Sequence, residues 1–187
     1  MNDAKPEPTE ITELFSTTRL SVRRLVETDA EAMLAIYGDA EAMRFVGDGR
    51  PLDLAACRYW IEVTDRNIER RGYGMLAAVD RANGELIGCV GIVHPGQQDE
   101  PELKYALRRD HWSRGLATEL AAGAVAFAQD KLGLRRLIAT VYAEHTKSQA
   151  VLQKTGFRLE RTIVNEDGSH TQVWVLATAR HQEMEDA

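Results

Sequence analysis

The chain has 187 residues, 44% hydrophobic and 28% charged, enough for one domain with a sizeable core and too few for two of ordinary size. Its net charge of −6 argues against a broad nucleic-acid footprint, which needs clustered Lys and Arg. No apolar run approaches the ~20 residues that cross a bilayer, and the polar, acidic start lacks the basic and apolar stretches of a signal peptide.

Residues 1–16 hold Pro6, Pro8 and several acids and read as a loose tail, leaving residues 17–187 as a single domain. Residues 19–25 alternate polar and apolar side chains, the period of a strand. Thr28-Asp29-Ala30-Glu31 has the form of a capping box, and Met33, Leu34, Ile36 and Tyr37 give a helical stripe after it. Asp53 is placed to cap a longer helix that runs through Arg71 and stops at Gly72. Residues 73–79 and 85–93 are β in pattern, and Asn83-Gly84 between them favours a tight hairpin turn. His94-Pro95-Gly96 breaks the second of these strands. Residues 102–107 form a further strand, residues 116–132 a helix closed by Gly133, and residues 135–142 a strand. Thr146-Lys147-Ser148-Gln149 resembles another capping box and opens a helix that stops at Gly156. Residues 157–164 and 171–177 complete the pattern as two strands around Asp167-Gly168. This order predicts an α+β fold with a mostly antiparallel mixed sheet of about seven strands flanked by helices. The helix at 116–132 makes a crossover that sets its two flanking strands parallel.

Several motifs exclude themselves. Gly72-Tyr73-Gly74-Met75-Leu76-Ala77 fits G-x-G-x-x-A, but it leaves a helix and enters a strand, the reverse of a dinucleotide-binding turn. No P-loop, H-E-x-x-H or G-x-S-x-G is present, and the five histidines show no metal-ligand spacing. Cys57 and Cys89 lie far apart in apolar runs and read as buried, reduced thiols of a cytoplasmic protein.

The informative stretch is 102–157. A strand ends at Leu107, a turn carries Arg108, Arg109 and Arg114, and Gly115-Leu116-Ala117-Thr118 opens a helix. A helix start offers unpaired N–H groups and partial positive charge, and small residues let a phosphate reach the backbone. Ala117, Ala121, Ala124 and Ala128 equally fit a helix that begins small in order to pack on a sheet, so the local pattern leaves both readings open. Residues 145–157, His145 through Ser148, Val151, Leu152 and Lys154 to Gly156-Phe157, resemble the GNAT superfamily pattern N-x-x-S-x-x-V-L-x-K-x-G-F. Trp112-Ser113-Arg114-Gly115-Leu116-Ala117-Thr118 resembles that superfamily's phosphate loop, in the W-G-x-G-x-A-T form of the ribosomal-protein-alanine N-acetyltransferase branch. Leu20-Ser21-Val22-Arg23-Arg24-Leu25 followed by Asp29 looks like the same branch's opening. The resemblance spans about residues 18–177.

This resemblance implies an acetyl-CoA-dependent N-acetyltransferase acting on a primary amine, a protein N-terminus or a small amine, by direct attack in a ternary complex. Acetyl-CoA would lie in a splay between the strands at 102–107 and 135–142. Backbone N–H groups at Arg114, Gly115, Leu116, Ala117 and Thr118 would hold its pyrophosphate, with Arg109 and His145 as further contacts. The main chain of Tyr105, Ala106 and Leu107 would pair with its pantetheine arm. Glu102 matches a position that often serves as base, and reads equally as an exposed strand-end acid pairing with Lys104 or an arginine. Ser148 matches the position that protonates the leaving thiolate, and reads also as a first-turn residue bonding locally. Tyr142 is a reserve acid. Four positions depart from the pattern: His145 replaces Asn, Trp112 replaces Gln or Arg, Leu152 replaces a Tyr acid, and Lys104 replaces Gly. With the tyrosine missing, a non-catalytic acyl-CoA-binding sensor is the alternative. No metal, nucleic acid or membrane partner is expected, and the chain is expected to be a monomer or homodimer.

Overall fold

In the computed structural model, which describes residues 12–177, eight strands form one sheet in the order β1-β2-β3-β4-β5-β6-β8-β7. The elements are β1 (Glu13–Ser16), β2 (Leu20–Arg24), α1 (Ala30–Tyr37), α2 (Ala40–Met43), α3 (Leu54–Arg71), β3 (Met75–Asp80) and β4 (Leu86–Val93). They continue as β5 (Glu102–Leu107), α4 (Leu116–Asp130), β6 (Arg136–Tyr142), α5 (Thr146–Lys154), β7 (Arg158–Val164) and β8 (His170–Ala177). Every neighbouring pair is antiparallel except β5 and β6. This is the α+β mixed sheet that the sequence predicts, with one more strand.

The additional strand is β1, and it corrects the reading of residues 13–16 as loose tail. Four residues are too few to show an alternation, and what holds them is tertiary. Phe15 pairs with Val22 of β2 and stacks on Phe127 of α4 at a ring distance of 5.1 Å. The rest of that tail, residues 1–11, lies outside the described residues.

Two apolar layers sandwich the sheet. On one face Leu116, Leu120, Ala121, Ala124 and Ala128 of α4 and Leu152 of α5 pack on β-strand residues such as Val90, Leu103 and Leu137. The alanine stripe of α4 therefore does pack on the sheet, as one of its two readings held. On the other face Met33 and Ile36 of α1 and Cys57 and Ile61 of α3 pack on Met75, Ala77 and Cys89. Both cysteines are buried free thiols, and burial pushes Cys89 up to about 12, so it stays protonated.

The ends of α3 follow the sequence closely. Asp53 Oδ1 accepts from the N–H of Ala56 at 2.7 Å, and Gly72 closes the helix at φ 82°. The two expected capping boxes do not form. Asp29 precedes α1, and its carboxylate takes the Arg23 guanidinium at 2.7 and 2.9 Å and the Val26 N–H at 2.8 Å. A buried ion pair outcompetes a cap there. At α5 the residue before the helix is His145, and Thr146 is already helical. Gln149 turns back and donates to the carbonyl of Ala143 at 2.7 Å. The β3–β4 connection is also wider than a two-residue turn. Asp80 and Glu85 close it at 2.8 Å, with Gly84 at φ 76°.

The G-x-G-x-x-A segment has a packing role. A Cβ on Gly91 of β4 would lie 2.3 Å from the carbonyl oxygen of Gly74 and 2.6 Å from the Cα of Met75. Backbone meets backbone there, so no side chain can yield. Gly91→Ala is expected to lose about 1–3 kcal/mol in urea denaturation, the usual cost of overpacking. An unchanged midpoint would contradict this close approach.

Candidate active site

The central feature is a gap between β5 and β6. These parallel strands share one paired position, Glu102 with Ile138, where the Ile138 N–H donates to Pro101 O at 3.0 Å. Beyond Glu102 the strands part. One edge of β5 pairs with β4 along its whole length, from Glu102 to Leu107. The other edge is left to the gap, where an extended ligand could add as a strand.

At the open end of the gap the chain turns into α4. Arg109 to His111 make one 3-10 turn, Ser113 sits at φ 59°, and Gly115 sits at φ 77° immediately before the helix. The left-handed region suits glycine and strains serine. α4 has no side-chain cap, so its first N–H groups point outward from Leu116, Ala117 and Thr118. Exposed Gly115 leaves them uncovered.

Neighbouring side chains brace this turn. The Trp112 indole N–H donates to Leu107 O at 2.8 Å, which uses the carbonyl at the end of β5 and leaves its N–H as the ligand-facing group. Arg19 donates to the Arg114 carbonyl at 2.9 Å and pairs with Glu119 at 2.7 Å. Burial works against ionising Glu119, but bonds from Thr17 and Arg19 outweigh it and lower its pKa. The Arg19 guanidinium therefore stands beside Gly115, 3.6 Å from where its Cβ would be. Lys147 Nζ lies 5.8 Å over the Trp112 ring. Sequence reasoning missed Arg19 and Lys147 as cations near the loop, because each arrives from a distant element. Arg114 is exposed beside them. Arg109, by contrast, pairs with Asp39 at 3.3 Å and must leave it to meet an anion.

The two faces of the gap differ in chemistry. On the α4–α5 face the Tyr105 hydroxyl lies 2.8 Å from Ser148 Oγ and bonds its carbonyl at 3.3 Å, bridging β5 to the first turn of α5. Burial pushes the Tyr105 phenol up to about 12, with the Ser148 bond acting the other way, so it remains a neutral donor. On the opposite face Glu102 is 1% exposed. Its Oε1 takes the Lys104 ammonium at 2.5 Å, the Thr140 N–H at 3.0 Å and the Thr140 hydroxyl in a short bond, and Oε2 takes Gln98 Nε2 at 3.1 Å. Lys104 also donates to Thr140 Oγ1 at 3.0 Å, crossing from β5 to β6. Glu102 is thus enclosed rather than open.

At the mouth, His145 stacks on Phe45 at 4.5 Å, and Tyr142 lies 6.2 Å from the same ring. Arg44 covers Phe45 at 5.1 Å. Burial, then the charge of Lys147, lowers the His145 pKa, which keeps the imidazole neutral at pH 7. The segment after α2 therefore walls one side of the gap. Among the described residues no cluster of His, Cys, Asp or Glu could hold a metal, and no helix is long and apolar enough to cross a membrane.

A parallel strand pair that parts beyond Glu102, with an uncapped helix start at the open end, fits an acyl-CoA transferase fold. The sequence matches the family described as Acetyltransferase (GNAT) domain over residues 19–158. The chain belongs to the GNAT acetyltransferase family, whose enzymes use acetyl-CoA, and is an N-acetyltransferase of that family. It is 28% identical over 149 residues to the uncharacterized N-acetyltransferase YoaA of Bacillus subtilis, covering 79% of this chain and 84% of that one. An acetyltransferase structure from Agrobacterium tumefaciens shares 28% identity at a TM-score of 0.72, over 93% of this chain and 99% of the other. RimL, a ribosomal L7/L12 alpha-N-protein acetyltransferase in complex with coenzyme A, has a TM-score of 0.76 at 15% identity, over 89% and 98% of the two chains, and shares the fold.

Proposed function

We propose that this chain moves the acetyl group of acetyl-CoA to a primary amine, a protein N-terminus or a small amine, in a ternary complex. The observation that carries this reading is the uncapped start of α4 opening onto the unpaired edge of β5. Acetyl-CoA fits with its pyrophosphate on the N–H groups of Arg114, Gly115, Leu116, Ala117 and Thr118, assisted by Arg19 and Lys147. Its pantetheine arm adds to the edge of β5 at Tyr105, Ala106 and Leu107, with His145 at the mouth. An N–H of that edge stabilises the thioester oxyanion. The loop form and the opening strand support the ribosomal-protein-alanine branch.

The amine nitrogen attacks the thioester carbonyl, the carbon–sulfur bond breaks, and the thiolate leaves. Ser148, positioned by the Tyr105 hydroxyl, gives the thiolate its proton and regains one from solvent, with Tyr142 in reserve. The nitrogen's proton passes to Glu102 by way of water. Neither buried cysteine has a paired base, so no acyl-enzyme forms. Ser148→Ala is expected to lower kcat about tenfold to a thousandfold while acetyl-CoA affinity holds. Unchanged turnover would pass the role to Tyr142 or water. The reading as a whole is tested by initial rates with both substrates varied. Intersecting double-reciprocal lines are expected; parallel lines with an acetyl group trapped on Cys57 or Cys89 would overturn it.

A further inference from the structure

Lys104 takes the place of a glycine in the family pattern, and the structure gives it a definite position. Its ammonium bridges Glu102 and Thr140 across the closed end of the gap. Its side chain is 38% exposed, against 2% for the Glu102 carboxylate beneath it. Whatever approaches this face meets an ammonium, not a carboxylate.

The neighbouring strands add no compensating negative charge. Directly opposite Lys104 on β4 is Gly91, and opposite Glu102 is Val93. On β6 and β8 the paired positions are Thr140 with Val173 and Ile138 with Val175. The four strands β4, β5, β6 and β8 contain one carboxylate, Glu102, and Lys104 already neutralises it. At the mouth stand Phe45, Tyr142, neutral His145 and the Arg44 guanidinium. In the wall, Asp39 is spent on Arg109.

We infer that Lys104 sets acceptor specificity: it bars polycationic amines and selects a weakly basic primary amine that enters uncharged. The inference rests on the acetyl-transfer reading of this gap. A cation placed beside Lys104 is repelled and finds no free carboxylate on these strands to offset the desolvation of its charge. An α-amine, with a pKa near 8, is uncharged at neutral pH on the order of a hundredfold more often than an alkyl amine with a pKa near 10. The free base attacks directly, and its proton leaves only after the new carbon–nitrogen bond has formed.

The test compares kcat/KM for alaninamide, propylamine and spermidine, with acetyl-CoA as donor. The wild-type protein is expected to favour alaninamide over spermidine by on the order of a hundredfold. Lys104→Gln keeps a donor for Glu102 but removes the charge, and is expected to raise kcat/KM for spermidine about tenfold while alaninamide changes less. Lys104→Arg keeps the wild-type order. Thr140→Val frees the ammonium from its anchor and shifts the ratio the same way as Lys104→Gln, by a smaller factor. A wild-type preference for spermidine overturns the inference, even where Lys104→Gln fails to fold. So does an unchanged ratio in a folded Lys104→Gln protein that acetyl-CoA still stabilises. Loss of all three amines as substrates instead removes the acetyl-transfer reading, and this inference with it.

Discussion

Gly115→Asp abolishes the rise in melting temperature that acetyl-CoA gives the wild-type protein. A ligand that binds only the folded state stabilises it by mass action, about 2.7 kcal/mol at a hundred times its Kd. In the proposed placement Gly115 lets a pyrophosphate reach the first N–H groups of α4, because it carries no side chain and sits at φ 77° immediately before the helix. An aspartate there sets a carboxylate against the phosphates and offers the Arg19 guanidinium, 3.6 Å from the new Cβ, a competing partner. Backbone strain is the confounding effect, at roughly 1–2 kcal/mol for a side chain in the left-handed region, less for Asp and Asn. Gly115→Asn carries the same strain without the charge. It is expected to keep a reduced acetyl-CoA shift while Gly115→Asp shows none. Equal shifts in wild type and Gly115→Asp, by differential scanning fluorimetry, would place the pyrophosphate elsewhere.

Asp29→Ala costs about 3–5 kcal/mol of folding stability, the largest loss expected of any single change to the scaffold. The side chains of Arg23 and Asp29 are 13% and 8% exposed and meet in a two-point contact. The bond from Asp29 is the main reason the Arg23 pKa is raised further. Removing Asp29 leaves a buried guanidinium and an unpaired Val26 N–H, each costly in low dielectric. Replacing both partners, as Arg23→Met with Asp29→Leu, is expected to recover part of the loss, since no charge is then stranded. Urea denaturation decides the matter. A loss under about 1 kcal/mol for Asp29→Ala would mean that water reaches this pair.

The sequence made local features legible and left the side-chain contacts dark. Asp53 and Gly72 mark α3 because a cap and a left-handed stop act within a few residues. The bounds of β5 and the start of α4 were readable for the same reason: an alternation ends at Leu107 and a helix opens after Gly115. Thr28 and Thr146 have the residue types of caps but are not caps, since the Asp29 carboxylate goes to Arg23 and Gln149 to Ala143. Strand β1 exists because Phe15 finds Phe127, a contact no four-residue pattern announces. In the candidate site the backbone positions of the loop were readable, whereas the chemistry around them is long-range. Tyr105 reaches Ser148, Lys104 reaches Thr140, and Arg19 reaches Arg114, each across a wide span of chain. The lysine did leave a trace, as a departure from the family's glycine. Glu102 reads from sequence as a base or as an exposed acid pairing with Lys104 or an arginine; the structure buries it instead and gives it Lys104 as partner, a contact that composition could not rank.

Acetyl transfer from CoA to an amine is measured by supplying acetyl-CoA with a library of primary amines. Release of the CoA thiol is followed alongside the mass of each amine product. Amine-dependent thiol release matched one for one by an N-acetylated product is expected, with loss of both when the amine is fully methylated. Acetyl-CoA binding with no product from any amine would contradict it and leave a protein that senses the cofactor without using it.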